Sequence, residues 1–167
     1  VEEVMSLAGI TEYKTIKTVN GTELEGILCK HPFLDRTSKV VLGSDDTVAV
    51  ELDTGTGAVH TAPSYGKEDY LCGIKNGLDI IVTVDGKGYQ TEGAGPFAGM
   101  FYAKSNDAII DWLDKNGYLL RKEKINHSYP HCWRCKNPII FRATDQWFAS
   151  VNDFKKETLD AIKTVKW

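Results

Sequence analysis

The residues best placed to do chemistry lie in the stretch GTGAVHTAPSYGKEDY, Gly55 to Tyr70, where a histidine, His60, precedes two carboxylates, Glu68 and Asp69. A glycine-flanked turn (Gly55, Thr56, Gly57) leads into the β-rich run AVHTA, Pro63 stops that run, and a helix start follows. In a strand, Val59 and Thr61 point to one face and His60 to the other, beside the turn. The two glycines would let a ligand approach the backbone. Glu68 and Asp69 fall in the first helical turn, where the helix dipole and free N–H groups favour an ionised carboxylate, a group suited to gripping an ammonium. The plainer readings weigh against this: a first-turn Asp more often just offsets the dipole, and a lone strand His is usually structural. Gly-Thr-Gly is not the G-x-G-x-x-G fingerprint of a dinucleotide site. No activated Ser, Cys or base dyad is visible in the stretch, so a hydrolytic step here would use water.

Two further groupings could carry chemistry. Cys132-Trp133-Arg134-Cys135 has zinc-knuckle spacing, but a structural zinc takes four ligands and the pair supplies two; His127 and His131 could complete the set. Cys29 and Cys72 read as ordinary buried residues. Residues 121–142 hold Arg121, Lys122, Lys124, Arg134, Lys136 and Arg142 against the single acid Glu123, with Tyr129, Trp133 and Phe141 among them. Phosphate contact and a merely solvated hairpin surface are both open readings of that zone.

The elements that must position these residues are short. Val1, Val4, Met5 and Ala8 make an amphipathic helix closed by Gly9. The runs KTIKTV, GILCK, KVVLG and TVAVEL, separated by Asn20-Gly21, His31-Pro32 and Ser44-Asp45-Asp46, predict strands close enough together for a barrel or a strongly curved sheet. A helix from about Gly66 to Asn76 carries Tyr70, Leu71, Ile74 and Leu78 on one face. Asp85 to Gly99 reads as loop and turns; Ser105 caps a helix with an Ala108, Ile109, Trp112, Leu113 stripe, ended by Gly117. Residues 118–145 return to strands, and Asp153 caps a last helix through Leu159, Ile162 and Val165.

The chain has 167 residues, 42% of them hydrophobic, enough for one domain with a core of its own. With 26% charged residues and a net charge of -3 it lacks the overall basic bias of a general nucleic-acid binder, so any such contact is local. Four scattered cysteines do not make a disulfide framework, and a reducing cytoplasm is the simpler setting. No apolar run approaches the ~20 residues of a membrane span, and VEEVMSLAGI lacks the basic region of a signal peptide. The termini, Val1 and Trp167, read as those of a fragment.

GTGAVHTAPSYGKEDY resembles the motif in the editing insertion of the class I aminoacyl-tRNA synthetases for isoleucine, valine and leucine. His60 after Gly55-Thr56-Gly57-Ala58-Val59 is similar to the isoleucyl branch, as are HSYPHCWRCKNPIIFRATDQWF (His127 to Phe148) and HPFLDR (His31 to Arg36). The resemblance implies an α/β fold, a β-barrel-like editing domain decorated with helices. It would span residues 1–150 with upstream strands missing, and residues 151–167 would form a helix leading back toward the synthetase body. It implies hydrolysis of valine wrongly esterified to the isoleucine tRNA, inside an enzyme that performs ATP-dependent aminoacylation. A pocket fitted to isoleucine cannot exclude valine well enough by binding alone, a pair that is itself the standard illustration of double-sieve editing.

In that family the carboxylate matching Asp69 holds the α-ammonium, and the histidine matching His60 lines the pocket and helps reject isoleucine; orienting the water is its other possible role. Gly55, Thr56, Gly57 and Thr61 would line the substrate side. The partners implied are the acceptor end of the tRNA and the rest of the synthetase. No cofactor is expected in these residues, while in related synthetases a zinc shares the pair matching Cys132 and Cys135 with a distant upstream pair. The family's threonine-rich pocket segment does not occur here and would lie upstream of Val1, which predicts weak or no hydrolysis by this chain alone. Two rivals stand beside this reading: a valyl editing domain, disfavoured by His60 and by FRAT at Phe141 to Thr144, and a non-catalytic zinc-ribbon module that binds RNA.

Overall fold

A computed structural model describes residues 2–44, 46–48, 50 and 56–166. Among the described residues, four α-helices (α1, Glu2–Leu7; α2, Lys67–Asn76; α3, Tyr102–Lys115; α4, Val151–Ile162) accompany two strands, β1 (Leu28–Lys30) and β2 (Thr37–Lys39), and 3-10 turns at Gly21–Glu23 and Glu92–Phe97. The strands pair antiparallel, Leu28 opposite Lys39 and Lys30 opposite Thr37, and HPFLDR forms the connection between them. His31 N–H donates to the Arg36 carbonyl across that connection at 3.0 Å.

The mixed helix-and-strand class is as expected, but the described residues form no closed barrel. KTIKTV and AVHTA join no ladder, residues 118–145 contribute only a single bridge between His131 and Pro138, and half of TVAVEL falls outside the described residues. The physical reason is that β-branched side chains favour strands only where a sheet exists to pack against, and Ile16 in KTIKTV stands 91% exposed. Among the described residues no helix is long and apolar enough to cross a membrane.

The helices follow their local signals more closely. Gly9 ends α1 at φ 73, its N–H bonding the Ser6 carbonyl, and Gly77 and Gly117 end α2 and α3 at φ 64 and 72. The expected caps shift: Ser105 lies inside the first turns of α3, fully buried, with its hydroxyl donating to the Tyr102 carbonyl at 2.7 Å, and Ser150 rather than Asp153 occupies the cap position of α4. The Ala108, Ile109, Trp112, Leu113 stripe of α3 is half-buried, with Phe33 packed edge-on to Trp112 at 5.4 Å and to Phe97 at 5.0 Å. On α2 the buried positions are Cys72 and Gly73, and Tyr70, Leu71 and Ile74 stay exposed. Gly73 is required by contact: a methyl there would lie 2.7 Å from Pro63 Cβ, so small residues, not the apolar stripe, form the packed face.

Cys72, Val84, Ala94 and Phe97 are the buried apolar residues among those described, and Cys29 is exposed rather than buried. The accessible surface of 14020 Å² far exceeds the roughly 8,000 Å² of a compact monomer of this mass. The expected self-sufficient core is therefore not formed by the described residues, because α4 and most of residues 118–150 stay exposed.

Candidate functional site

Three anchors hold the segment that carries the candidate residues. Tyr65 Oη accepts the N–H groups of Thr83 at 2.7 Å and Val84 at 3.0 Å. The Ser64 carbonyl accepts the Ala143 N–H at 2.7 Å, which ties FRAT to this segment, and Pro63 packs on Gly73 of α2. Ser64 is itself buried, with a hydroxyl that has no hydrogen-bond partner among the described residues.

Asp69 sits in the first turn of α2, as its position after the Gly66 cap predicts. Its Oδ1 accepts the Ala62 N–H at 2.9 Å, stapling the end of the AVHTA run to the helix. The carboxylate is half-buried and folds back over Gly66: a methyl on Gly66 would collide with Oδ2 and come within 3.1 Å of Cγ. One carboxylate oxygen is thus fixed to the backbone, and the other lies where only hydrogen occupies the neighbouring α-carbon. Such an oxygen can take an ammonium without giving up its anchor.

His60 is exposed and makes no hydrogen bond among the described residues; it sits in irregular backbone, so strand alternation does not set its direction. His31, in the β1–β2 connection, has its basicity lowered first by burial, then by the positive charge of Arg36 and by the His60 ring. His31 Nδ1 accepts the N–H groups of Phe33 at 3.3 Å and Leu34 at 3.1 Å, which places the ring proton on Nε2. HPFLDR contained the histidine, but its partly buried setting depends on the hairpin.

The remaining predicted residues divide. Thr56 is taken up by its own turn, its hydroxyl donating to the Ala58 carbonyl and accepting the Ala58 N–H, each at 3.1 Å. Gly57 holds φ 74 with open space where a side chain would stand, Thr61 is half-buried, and Gly55 lies outside the described residues. Neither His60 nor Asp69 lines the groove bounded by Tyr65, Tyr102 and Tyr129 or the one over the Gly86–Gly88 turn.

The cysteine pair adopts a tight knuckle, with Cys132 N–H bonded to the Asn137 carbonyl and Lys136 N–H to the Cys132 carbonyl, both at 2.8 Å, and Lys136 at φ 61. Backbone N–H groups of Cys135 and Arg134, and the Cys135 side chain, lower the Cys132 thiol below its ordinary value. This donor pattern suits a thiolate and fits half of a zinc site. His127 and His131 are not brought in: each bonds a nearby carbonyl through Nδ1, and no cluster of three or more candidate metal ligands occurs among the described residues.

No family model matches the chain. Similar proteins do: over all 167 residues the chain is 54% identical to an isoleucine–tRNA ligase of Caldicellulosiruptor bescii, 50% to one of Bacillus subtilis and 48% to one of Moorella thermoacetica. In each case it spans 18% of the relative's length.

Proposed function

Since this chain belongs along its whole length to the isoleucine–tRNA ligase family, as a segment of it, we propose that it supplies the editing step of such an enzyme: hydrolysis of the ester that joins valine to the isoleucine tRNA. The larger enzyme would perform the ATP-dependent aminoacylation, and the acceptor end of that tRNA and the rest of the synthetase are the partners. The observation that supports this reading is the half-anchored carboxylate of Asp69, with Oδ1 held by Ala62 N–H and Oδ2 over Gly66.

Asp69 Oδ2 would receive the α-ammonium of the misplaced amino acid and so fix the ester beside the segment Thr56–Thr61. Water attacks the ester carbonyl, and the tRNA ribose oxygen leaves with the proton that the water gives up. His60 lines the side-chain end, excluding isoleucine or orienting the water. A structural zinc, if the full enzyme holds one, would take Cys132 and Cys135 as two of its ligands and brace the 127–141 hairpin.

The test is Asp69→Asn in the full-length ligase. Deacylation of Val-tRNA should fall on the order of a hundredfold while aminoacylation with isoleucine persists. Unchanged deacylation would overturn the reading. If Cys132→Ser then abolished tRNA binding, the zinc-ribbon alternative, favoured by the thiolate-stabilising knuckle, would take its place.

A further inference from the structure

The chain holds three Asn-Gly pairs, Asn20-Gly21, Asn76-Gly77 and Asn116-Gly117. With no side chain on the following residue, its backbone nitrogen can swing onto the asparagine Cγ and close a cyclic imide, so each pair is a candidate for loss of ammonia. The fold separates the three.

Asn76 and Asn116 lie at helix ends. Asn76 Nδ2 donates to the Cys72 carbonyl at 2.9 Å and Asn116 Nδ2 to the Trp112 carbonyl at 2.8 Å, each one turn back along its helix. The nitrogens that would attack are held as well: Gly77 N–H bonds the Ile74 carbonyl at 3.4 Å and Gly117 N–H the Asp114 carbonyl at 3.1 Å. Closing an imide at either position would break both bonds and open the helix end. Asn20 instead precedes the Gly21–Glu23 turn, in a stretch, residues 11–30, that is exposed throughout. Its backbone N–H donates to Glu23 Oε1 at 2.9 Å, but among the described residues neither its Nδ2 nor the Gly21 N–H donates to an acceptor. No atom lies within 4 Å of where a side chain on Gly21 would stand, so nothing crowds the approach.

We propose that Asn20 is a site of spontaneous deamidation in the folded protein, whereas the helix ends protect Asn76 and Asn116. The Gly21 nitrogen bonds to Asn20 Cγ and gives up its proton, the Cγ–Nδ2 bond breaks, and the amide nitrogen leaves with that proton as ammonia. Water then opens the imide at either of its carbonyls, leaving aspartate or isoaspartate; nothing is oxidised or reduced. Each product adds a negative charge beside Lys17 and Glu23, which pair at 3.6 Å, and isoaspartate also lengthens the backbone at the start of the turn. The modification is independent of ester hydrolysis at Asp69.

The test is ageing of the full-length ligase for days in mildly alkaline buffer, followed by peptide mapping by mass spectrometry and an isoaspartate-specific methylation assay. Digestion at mildly acidic pH with an unaged control excludes deamidation during handling. Asn20 should convert on the order of tenfold or more faster than Asn76 and Asn116, because each of those must first open locally. In urea that advantage should vanish. Gly21→Ala, which the open space accommodates, should slow conversion of Asn20 on the order of tenfold by restricting the approach of the nitrogen. Asn20 intact after a time in which the urea-unfolded ligase converts, equal rates at the three pairs in the folded ligase, or no effect of Gly21→Ala would each overturn the proposal. None of these outcomes bears on the Asp69 test, which reads deacylation of Val-tRNA.

Discussion

At the scale of single residues, the candidate site turns on a hydrogen atom. Gly66 adopts φ -153, ordinary extended backbone open to any residue, so its requirement is purely steric: the Asp69 carboxylate occupies the space of its missing side chain. Gly66→Ala should therefore reduce Val-tRNA deacylation in the full-length ligase by at least tenfold without changing isoleucine activation, and normal deacylation would show that Oδ2 is not needed where it lies. His31 gives a pH signature. Its folded pKa is depressed, so it contributes stability that is fully present above the ordinary value of 6.5 and is lost as pH falls through the lowered value. Urea midpoints of the wild type and His31→Gln should thus converge as the solution is acidified; a gap independent of pH would refute it. The first-turn placement of Asp69 was legible in the sequence because it depends on local helix signals. The Gly66 contact depends on a rotamer, which leaves no mark in spacing.

At the scale of elements, α3 and the β1–β2 hairpin hold each other through Phe33, whose ring meets Phe97 and Trp112. Phe33→Ala should speed limited proteolysis at the hairpin in the full-length ligase, since packing and aromatic contact are both lost; an unchanged cleavage rate would mean that the hairpin tip is not held there. The stripe on α3 could be read because a 3.6-residue period needs no partner to be visible. On α2 the same rule pointed to Tyr70, Leu71 and Ile74, whereas Cys72 and Gly73 turn inward, since Pro63 crosses closely enough to demand the smallest residue. The strand runs misled for a related reason. Alternation and β-branching state only that a residue would suit a sheet, and most of these runs find no neighbouring strand.

At the scale of the molecule, a surface of 14020 Å² leaves large side chains uncovered, among them Trp147 at 103% and Phe148 at 88%. The chain alone should bind a hydrophobic dye such as ANS, unfold over a broad range and hydrolyse Val-tRNA poorly, whereas the full-length ligase should do none of these. A sharp, dye-free transition of the isolated chain would contradict that. Composition promised a core because it counts apolar residues without asking where they meet. The bond from Ala143 N–H to the Ser64 carbonyl closes a loop containing both α2 and α3, and it is the backbone tie between FRAT and the segment that carries Asp69. A single amide proton therefore keeps a record of how often those two stretches of chain part. Its exchange with deuterium would time the opening of the site from a position that touches no substrate.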